Sequence, residues 1–249
     1  MLRACYTAAE LVDYRRAAED TAILVYRPLE ECVGPEPGQF YMLHVPGVEA
    51  IPLSVYDSTG EGLGFLVKTR GPTTRLLVEK PPRRVGLLGP LGRPLPPPPP
   101  GRRALLLAGG VGVAPLAFYA KRHPSRLLYG VRSARYYVDV GVDDVLVASD
   151  DGSVGVRGTV VDLFEGLPDP DRYAPIIVAG PTPMLCAAYR ALRRLGLLDG
   201  SILVLEEYVR CGLGFCGDCI VPGTRLRLCR EGPGVDASRL HGWYSARCP

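Results

Sequence analysis

The chain has 249 residues, a formal charge of +3 at pH 7 and 47% hydrophobic residues, which is room for two domains or for two plus a small appendage, each with a real core. So small a charge, with no basic run interleaved with aromatics, excludes a nucleic-acid reader. No stretch approaches a membrane span, and Met1 to Glu10 lacks the apolar core of a secretory signal, so a soluble cytoplasmic protein with no membrane partner is expected.

Residues 1 to about 93 read as short β-strands cut by turn residues. Ala22–Tyr26, Phe40–Val45 and Leu63–Lys68 have strand length and apolar content, and Gly34-Pro35, Pro37-Gly38 and Ser58-Thr59-Gly60 punctuate them. Thr73–Val78 reads as a short helix. Many short strands at this spacing predict a small antiparallel barrel. Pro94 to Gly101 is a proline-rich break that cannot belong to a central strand, and a domain boundary is expected there.

After the break the pattern alternates strand and helix. Ala104–Ala108 is a continuous apolar run, as a strand buried on both faces requires. A helix over Pro115–His123 follows, then strands at Arg126–Tyr129, Asp144–Ala148 and Pro175–Ala179. A helix over Pro183–Leu195 and a strand at Ile202–Leu205 complete an α/β nucleotide-binding layout. Gly109-Gly110-Val-Gly112-Val-Ala-Pro115 joins the first strand to the first helix, where glycines let the backbone approach a pyrophosphate and the helix start offers free N–H groups. A tight turn needing positive φ is the alternative. Gly180-Pro181 follows another strand on the same side. Asp150-Asp151-Gly-Ser153 reads as a solvated turn rather than an acid/base pair. Arg132, Ser133 and Arg135 either receive a 2′-phosphate or are simply exposed charge.

The C-terminal segment carries Cys211-Gly-Leu-Gly-Phe-Cys216-Gly-Asp-Cys219, with Cys229 ten residues on. The order C-x4-C-x2-C with a distant fourth Cys is the spacing of a plant-type [2Fe-2S] site. Glycines 212, 214 and 217 let the loop wrap and turn N–H groups toward anionic sulfurs, and Phe215 is expected to shield one side from water. Structural zinc is the alternative, although zinc ribbons usually present two C-x2-C knuckles and here there is one. Cys5, Cys32 and Cys186 are expected as buried apolar residues, with Cys248 a weaker substitute for the fourth ligand. A disulfide framework is not expected in a chain of this length.

In this order the motifs resemble the electron-transfer subunits of the two-component dihydroorotate dehydrogenases, within the ferredoxin–NADP reductase superfamily. Pro37-Gly38-Gln39-Phe40, Pro52-Leu53-Ser54, Gly89-Pro90-Leu91-Gly92, the Gly109–Pro115 turn, Asp151-Gly-Ser153, Gly180-Pro181 and the Cys211–Cys229 loop carry the resemblance. Leu205-Glu206-Glu207 running into Cys211 is its most specific part. The resemblance implies an antiparallel β-barrel FAD domain over 1–100, a Rossmann-like α/β NAD(P) domain over 101–205 and a small [2Fe-2S] module over 206–249. It places Ile51, Pro52, Leu53 and Ser54 against the flavin, with the Ser54 hydroxyl near the hydride-accepting N5. Leu66, Val67 and Lys68 would pass the flavin, and Gly71, Thr73 and Thr74 would meet its phosphates. Gly109, Gly110, Gly112, Pro115, Gly180 and Pro181 would hold NAD(P), and Cys211, Cys216, Cys219 and Cys229 the cluster.

Three positions depart from the family pattern. Ile51 stands where an Arg usually pairs with the FAD pyrophosphate, leaving Lys68, Arg70 or Arg75 to compensate. Thr73 replaces a Gly, and Ala179 a Cys. The activity implied is an exchange of hydride with a nicotinamide and of single electrons with the cluster, with no catalytic acid/base pair; His44, His123 and His241 are read as surface or structural. The implied partner is an FMN-containing dihydroorotate dehydrogenase catalytic subunit that makes orotate, docked through the cluster loop and Leu240–Pro249, including Trp243 and Tyr244. A reductase serving a hydrogenase or ferredoxin is one rival reading, and a zinc-stabilised, non-catalytic binding protein is another.

Overall fold

Six strands near the N-terminus close on themselves in the computed structural model, which describes residues 4–248. They are β1 (Cys5–Ala18), β2 (Thr21–Pro28), β3 (Phe40–His44), β4 (Ile51–Thr59), β5 (Gly62–Lys68) and β6 (Arg84–Leu91). Their antiparallel order β1-β2-β5-β4-β3-β6 forms a barrel with no free edge. Leu24, Tyr26, Leu43, Val55, Phe65 and Leu87 fill its interior, each contributed by strand alternation. Helix α1 (Pro72–Glu79) buries Thr73, Leu77 and Val78 against it. The turn expected at Ser58-Thr59-Gly60 lies at Gly60-Glu61, because β4 runs on through Thr59.

Residues 92–103 contain no helix or strand, as a proline run dictates. Beyond them lie β7 (Ala104–Gly109), β8 (Ser125–Val131), β9 (Val145–Ser149), β10 (Val156–Arg157), β11 (Ile176–Ala179), β12 (Ser201–Val204) and β13 (Gly234–Asp236). They make one sheet in the order β10-β9-β8-β7-β11-β12-β13, parallel except for β13. The order reverses between β7 and β11, the switch point at which open α/β sheets bind ligands. Helices α2 (Val113–Arg122), α3 (Val160–Glu165) and α4 (Thr182–Arg194) cover the sheet, and α5 (Leu228–Glu231) and α6 (His241–Arg247) belong to the C-terminal segment. Among the described residues no helix is long and apolar enough to cross a membrane.

The barrel and the sheet are tied together by directed contacts. Lys121 Nζ stands 2.7 Å from Asp57 Oδ2 and 4.1 Å from the Tyr56 ring centroid, while the Tyr56 hydroxyl donates to the Val140 carbonyl at 3.2 Å. The C-terminal segment adds β13 to the sheet edge and stacks Tyr244 on Tyr189 at 4.5 Å. Arg247 pairs with Glu207 at 2.9 Å.

Four cysteines are paired in disulfides that the sequence does not lead one to expect, although Cys186 is buried in the apolar core as expected. Cys186 and Cys248 form a disulfide, with Cα atoms 5.5 Å apart, and Cys5 and Cys32 form another at 6.2 Å. Cys248 is therefore not a cluster ligand, and Cys5 and Cys32 are half-buried partners rather than apolar core. Separations of 27 and 62 residues hid both pairs from sequence reading.

Candidate functional site

The four remaining thiols stand as two pairs. Cys211 and Cys216 sulfurs lie 3.3 Å apart, and so do those of Cys219 and Cys229. Among the described residues no three His, Cys, Asp or Glu side chains are grouped around one metal position. Two dithiol pairs match the donor set of a two-iron cluster, in which each iron needs two protein thiolates. Gly212, Gly214 and Gly217 have φ of 68°, 83° and 82°, the left-handed turns that let the loop wrap. A Cβ on Gly212 would lie 2.7 Å from Leu91 Cδ1, so this loop packs directly on the barrel.

Backbone direction also prepares the loop for anionic sulfur. Burial raises the Cys211 thiol, but N–H groups of Cys216 and Leu213 and the Cys216 thiol outweigh it and bring the group down to about 6. Cys229 is pushed up to about 12, by burial first and then by its bond to Cys219. Helix α5 presents Cys229, and Leu228 N–H donates to the Cys219 carbonyl at 2.9 Å, fixing the second pair. Phe215 does not shield the thiols: it is 86% exposed, thrown outward by the turns at Gly214 and Gly217. Met42 and Leu91 of the barrel lie instead against the inner side of the loop, at Gly212.

Beside the loop opens a cleft of about 280 Å³ between the barrel and the sheet. Phe40, Pro52, Leu53, Ser54 and Leu66 form its barrel wall, and Gly112, Pro115 and Gly180 its switch-point wall. The third wall is the C-terminal segment, through Glu206, Glu207, Val209 and Leu228. A largely apolar slot with a few polar groups suits a planar heterocycle. Burial pushes the Glu206 carboxyl above the usual range, and Arg70 pulls it partly back. Leu228 lines the cleft and the next residue carries the Cys229 thiol, so the cleft and the thiol loop share a wall.

The other residues expected at the cofactors are placed less uniformly. Val67 points into the barrel core, as alternation after Leu66 requires. Lys68 is turned to Asp20 at 3.2 Å and lies over the Tyr136 ring. Ile51 packs partly against the barrel core. Thr73 is buried and donates to the Glu49 carbonyl at 3.2 Å, and Thr74 accepts from the N–H of Arg70 and Gly71 as an internal cap of α1. Gly109, Gly112 and Gly180 are demanded by chain packing: a Cβ on Gly112 would lie 2.5 Å from the Ala179 carbonyl oxygen, and one on Gly109 or Gly180 would meet the Met184 sulfur. Gly110, at φ 53° with nothing near its Cβ position, keeps open space at the mouth of the turn. Pro181 immediately precedes α4.

Asp151 accepts from Ser153 N–H at 2.9 Å and from its hydroxyl at 2.6 Å, the turn expected of Asp-x-Ser. Trp243 is buried, at 2% exposed, and so is packing rather than a docking surface, while Tyr244 is half-buried and stacked on Tyr189; Pro249 lies outside the described residues. Sequence reading passed over Phe40, Val204, Val209 and Leu228 as cleft residues. The available signal was position, since Val204 ends β12 on the ligand side of the sheet.

Comparison with known proteins gives this arrangement its relatives. A probable dihydroorotate dehydrogenase B (NAD(+)), electron transfer subunit, from Archaeoglobus fulgidus is 39% identical over 212 residues, 82% of this chain and 87% of that protein. The chain belongs to this family of electron transfer subunits. A second such subunit, from Methanocella arvoryzae, is 31% identical over 247 residues, covering 94% of this chain and 90% of its own. The family model for the iron-sulfur cluster binding domain of dihydroorotate dehydrogenase B matches residues 206–241, which contain all four free thiols. Among solved structures, a chain of the NADH-dependent reduced ferredoxin-NADP oxidoreductase superposes with TM-score 0.80 at 28% identity, covering 93% of this chain and 88% of that one. The ferredoxin reductase of carbazole 1,9a-dioxygenase gives 0.69 at 26%, covering 78% and 67%. The electron transfer subunit fold thus accounts for the barrel, the sheet and the thiol loop together.

Proposed function

We propose that this chain is the electron transfer subunit of an NAD-linked dihydroorotate dehydrogenase, joining an FMN-containing catalytic subunit to NAD(P) in the making of orotate. FAD and a [2Fe-2S] cluster supply, when bound, the exchange between a hydride pair and single electrons. The observation that carries the reading is the shared wall, with the cleft-lining Leu228 followed directly by the thiol ligand Cys229.

The chain's own residues have distinct tasks in this account. Cys211 with Cys216, and Cys219 with Cys229, are the two thiol pairs that would hold the cluster. Pro52, Leu53 and Leu66 exclude water from the flavin plane, and the Ser54 hydroxyl is available to hydrogen-bond at the flavin edge. The open turn at Gly110, at the start of the run leading into α2, offers N–H groups to a nicotinamide dinucleotide's pyrophosphate. Residues 1–100, 101–205 and 206–249 then serve as flavin, nicotinamide and cluster units that meet at one cleft. The reading places the protein in the cytoplasm, where its nicotinamide pool lies.

The test is reconstitution with an FMN-type dihydroorotate dehydrogenase subunit from the same genome. The two chains should co-purify and reduce NAD⁺ with dihydroorotate, and a Cys229→Ser chain should support no NADH formation. Failure to co-purify, with retained electron transfer to a ferredoxin, would move the protein to a ferredoxin-linked role like that named for its structural neighbour.

A further inference from the structure

A flavin dinucleotide brings two negative charges on its pyrophosphate, and of the two carboxylic residues on the cleft wall Glu207 already holds Arg247 while Glu206 is in no ion pair among the described residues. A cation at the rim would make a charge-assisted pair with that pyrophosphate. The opening position of β4 offers none, because Ile51 stands there. Antiparallel pairing, with Val55 opposite Phe65, brings that end of β4 beside the exit of β5. The first turn of α1, which follows β5, is stitched to the chain entering β4 by the Thr73 hydroxyl bond to the Glu49 carbonyl.

Three cations border this junction: Lys68, Arg70 and Arg75. Lys68 is committed to Asp20 and Tyr136. Arg75 lies on the exposed face of α1, opposite the side that buries Thr73 and Leu77. Among the described residues Arg70 is in no ion pair, whereas Lys121, Arg210 and Arg247 near the cleft and loop each hold a carboxylate. Its charge reaches the cleft, since it acts on Glu206. Its backbone is anchored, the N–H donating to Thr74 Oγ1 at 2.8 Å.

We propose that Arg70 is the cation that positions the flavin dinucleotide through its pyrophosphate, supplying from the start of α1 the charge that Ile51 does not supply from β4. The proposal rests on the flavin reading of the cleft given above. Arg70 is a positioning residue: it fixes the dinucleotide without taking part in electron exchange, and the isoalloxazine is held by the apolar walls whether or not Arg70 is present.

Flavin-stripped protein titrated with FAD, and separately with riboflavin, tests this by fluorescence quenching. Arg70→Ala should weaken FAD binding by about tenfold to a hundredfold, the loss expected for a charged hydrogen bond. Riboflavin affinity should not change, and Arg75→Ala should leave both affinities near wild type. Adding Ile51→Arg to Arg70→Ala should restore most of the FAD affinity, which a folding defect would not allow. FAD binding by Arg70→Ala equal to wild type, or an equal loss for FAD and riboflavin, would overturn the proposal. Wild-type protein that binds no flavin at all would overturn the reading of the cleft itself.

Discussion

The thiol loop and the cleft share a wall but are built in opposite ways. The loop gathers four thiols within nineteen consecutive residues, from Cys211 to Cys229, and holds them with left-handed glycines and backbone N–H groups. The cleft draws on positions from Phe40 to Pro233 and is shaped by how a barrel, a sheet and a C-terminal segment pack. A local site depends wholly on each of its parts, whereas a distributed site spreads its dependence over many weak ones. Mutations in the two regions should therefore differ in kind.

The largest effect belongs to the loop. Cys219→Ser or Cys229→Ser should take iron from about two per chain to nearly none, because an iron left with one protein thiolate is not retained. Cys248→Ser should leave iron unchanged, and metal analysis of the three variants separates ligands from disulfide partner. Next comes the staple between the C-terminal segment and α4. Removing Cys186 and Cys248 together, as serines, should lower stability by about 2–4 kcal/mol, with iron content preserved. A reductant should lower the wild-type unfolding midpoint in the same direction.

Effects in the cleft should be graded. Gly112→Ala places a methyl 2.5 Å from the Ala179 carbonyl oxygen, and overpacking of this kind costs about 1–3 kcal/mol, measurable by denaturant titration. Leu53→Ala removes one apolar contact from one wall and should weaken FAD by about fivefold, close to 1 kcal/mol. The smallest effect should be that of Asp151→Asn. Ser153 holds this carboxyl below its usual range, first through its hydroxyl and then through its N–H, in an exposed turn. NADH formation should be unchanged by the substitution; a large loss would mean that Asp151 acts as an acid or base after all.

The same contrast decides what could be read from the sequence. Cysteine spacing and glycine positions are local facts, so the gathering of the four thiols and the left-handed turns was legible, and Phe215 misled, because a turn's outward direction is not written in its composition. Strand β7 was legible because it is buried on both faces, with every residue apolar or Gly. Strand β1 was not, since Glu10, Asp13, Arg15 and Arg16 break its apolar pattern and pairing to β2 and β6 holds it instead. Helix α3 was overlooked although Thr159-x-x-Asp162 is a capping box, bonded both ways in the structure. The disulfides, β13 and the orientation of Lys68 depend on partners far along the chain, which no local pattern reports.

The central claim is that two thiol pairs and one cleft make a joined flavin and iron–sulfur site. Its most direct measurement is the visible spectrum of anaerobically purified protein, with iron, acid-labile sulfide, zinc and flavin analysis. The account predicts flavin bands over a broad red-brown absorption, with about two irons, two sulfides and one FAD per chain. A colourless protein holding about one zinc and no flavin, unchanged by reconstitution with iron, sulfide and FAD, would contradict it.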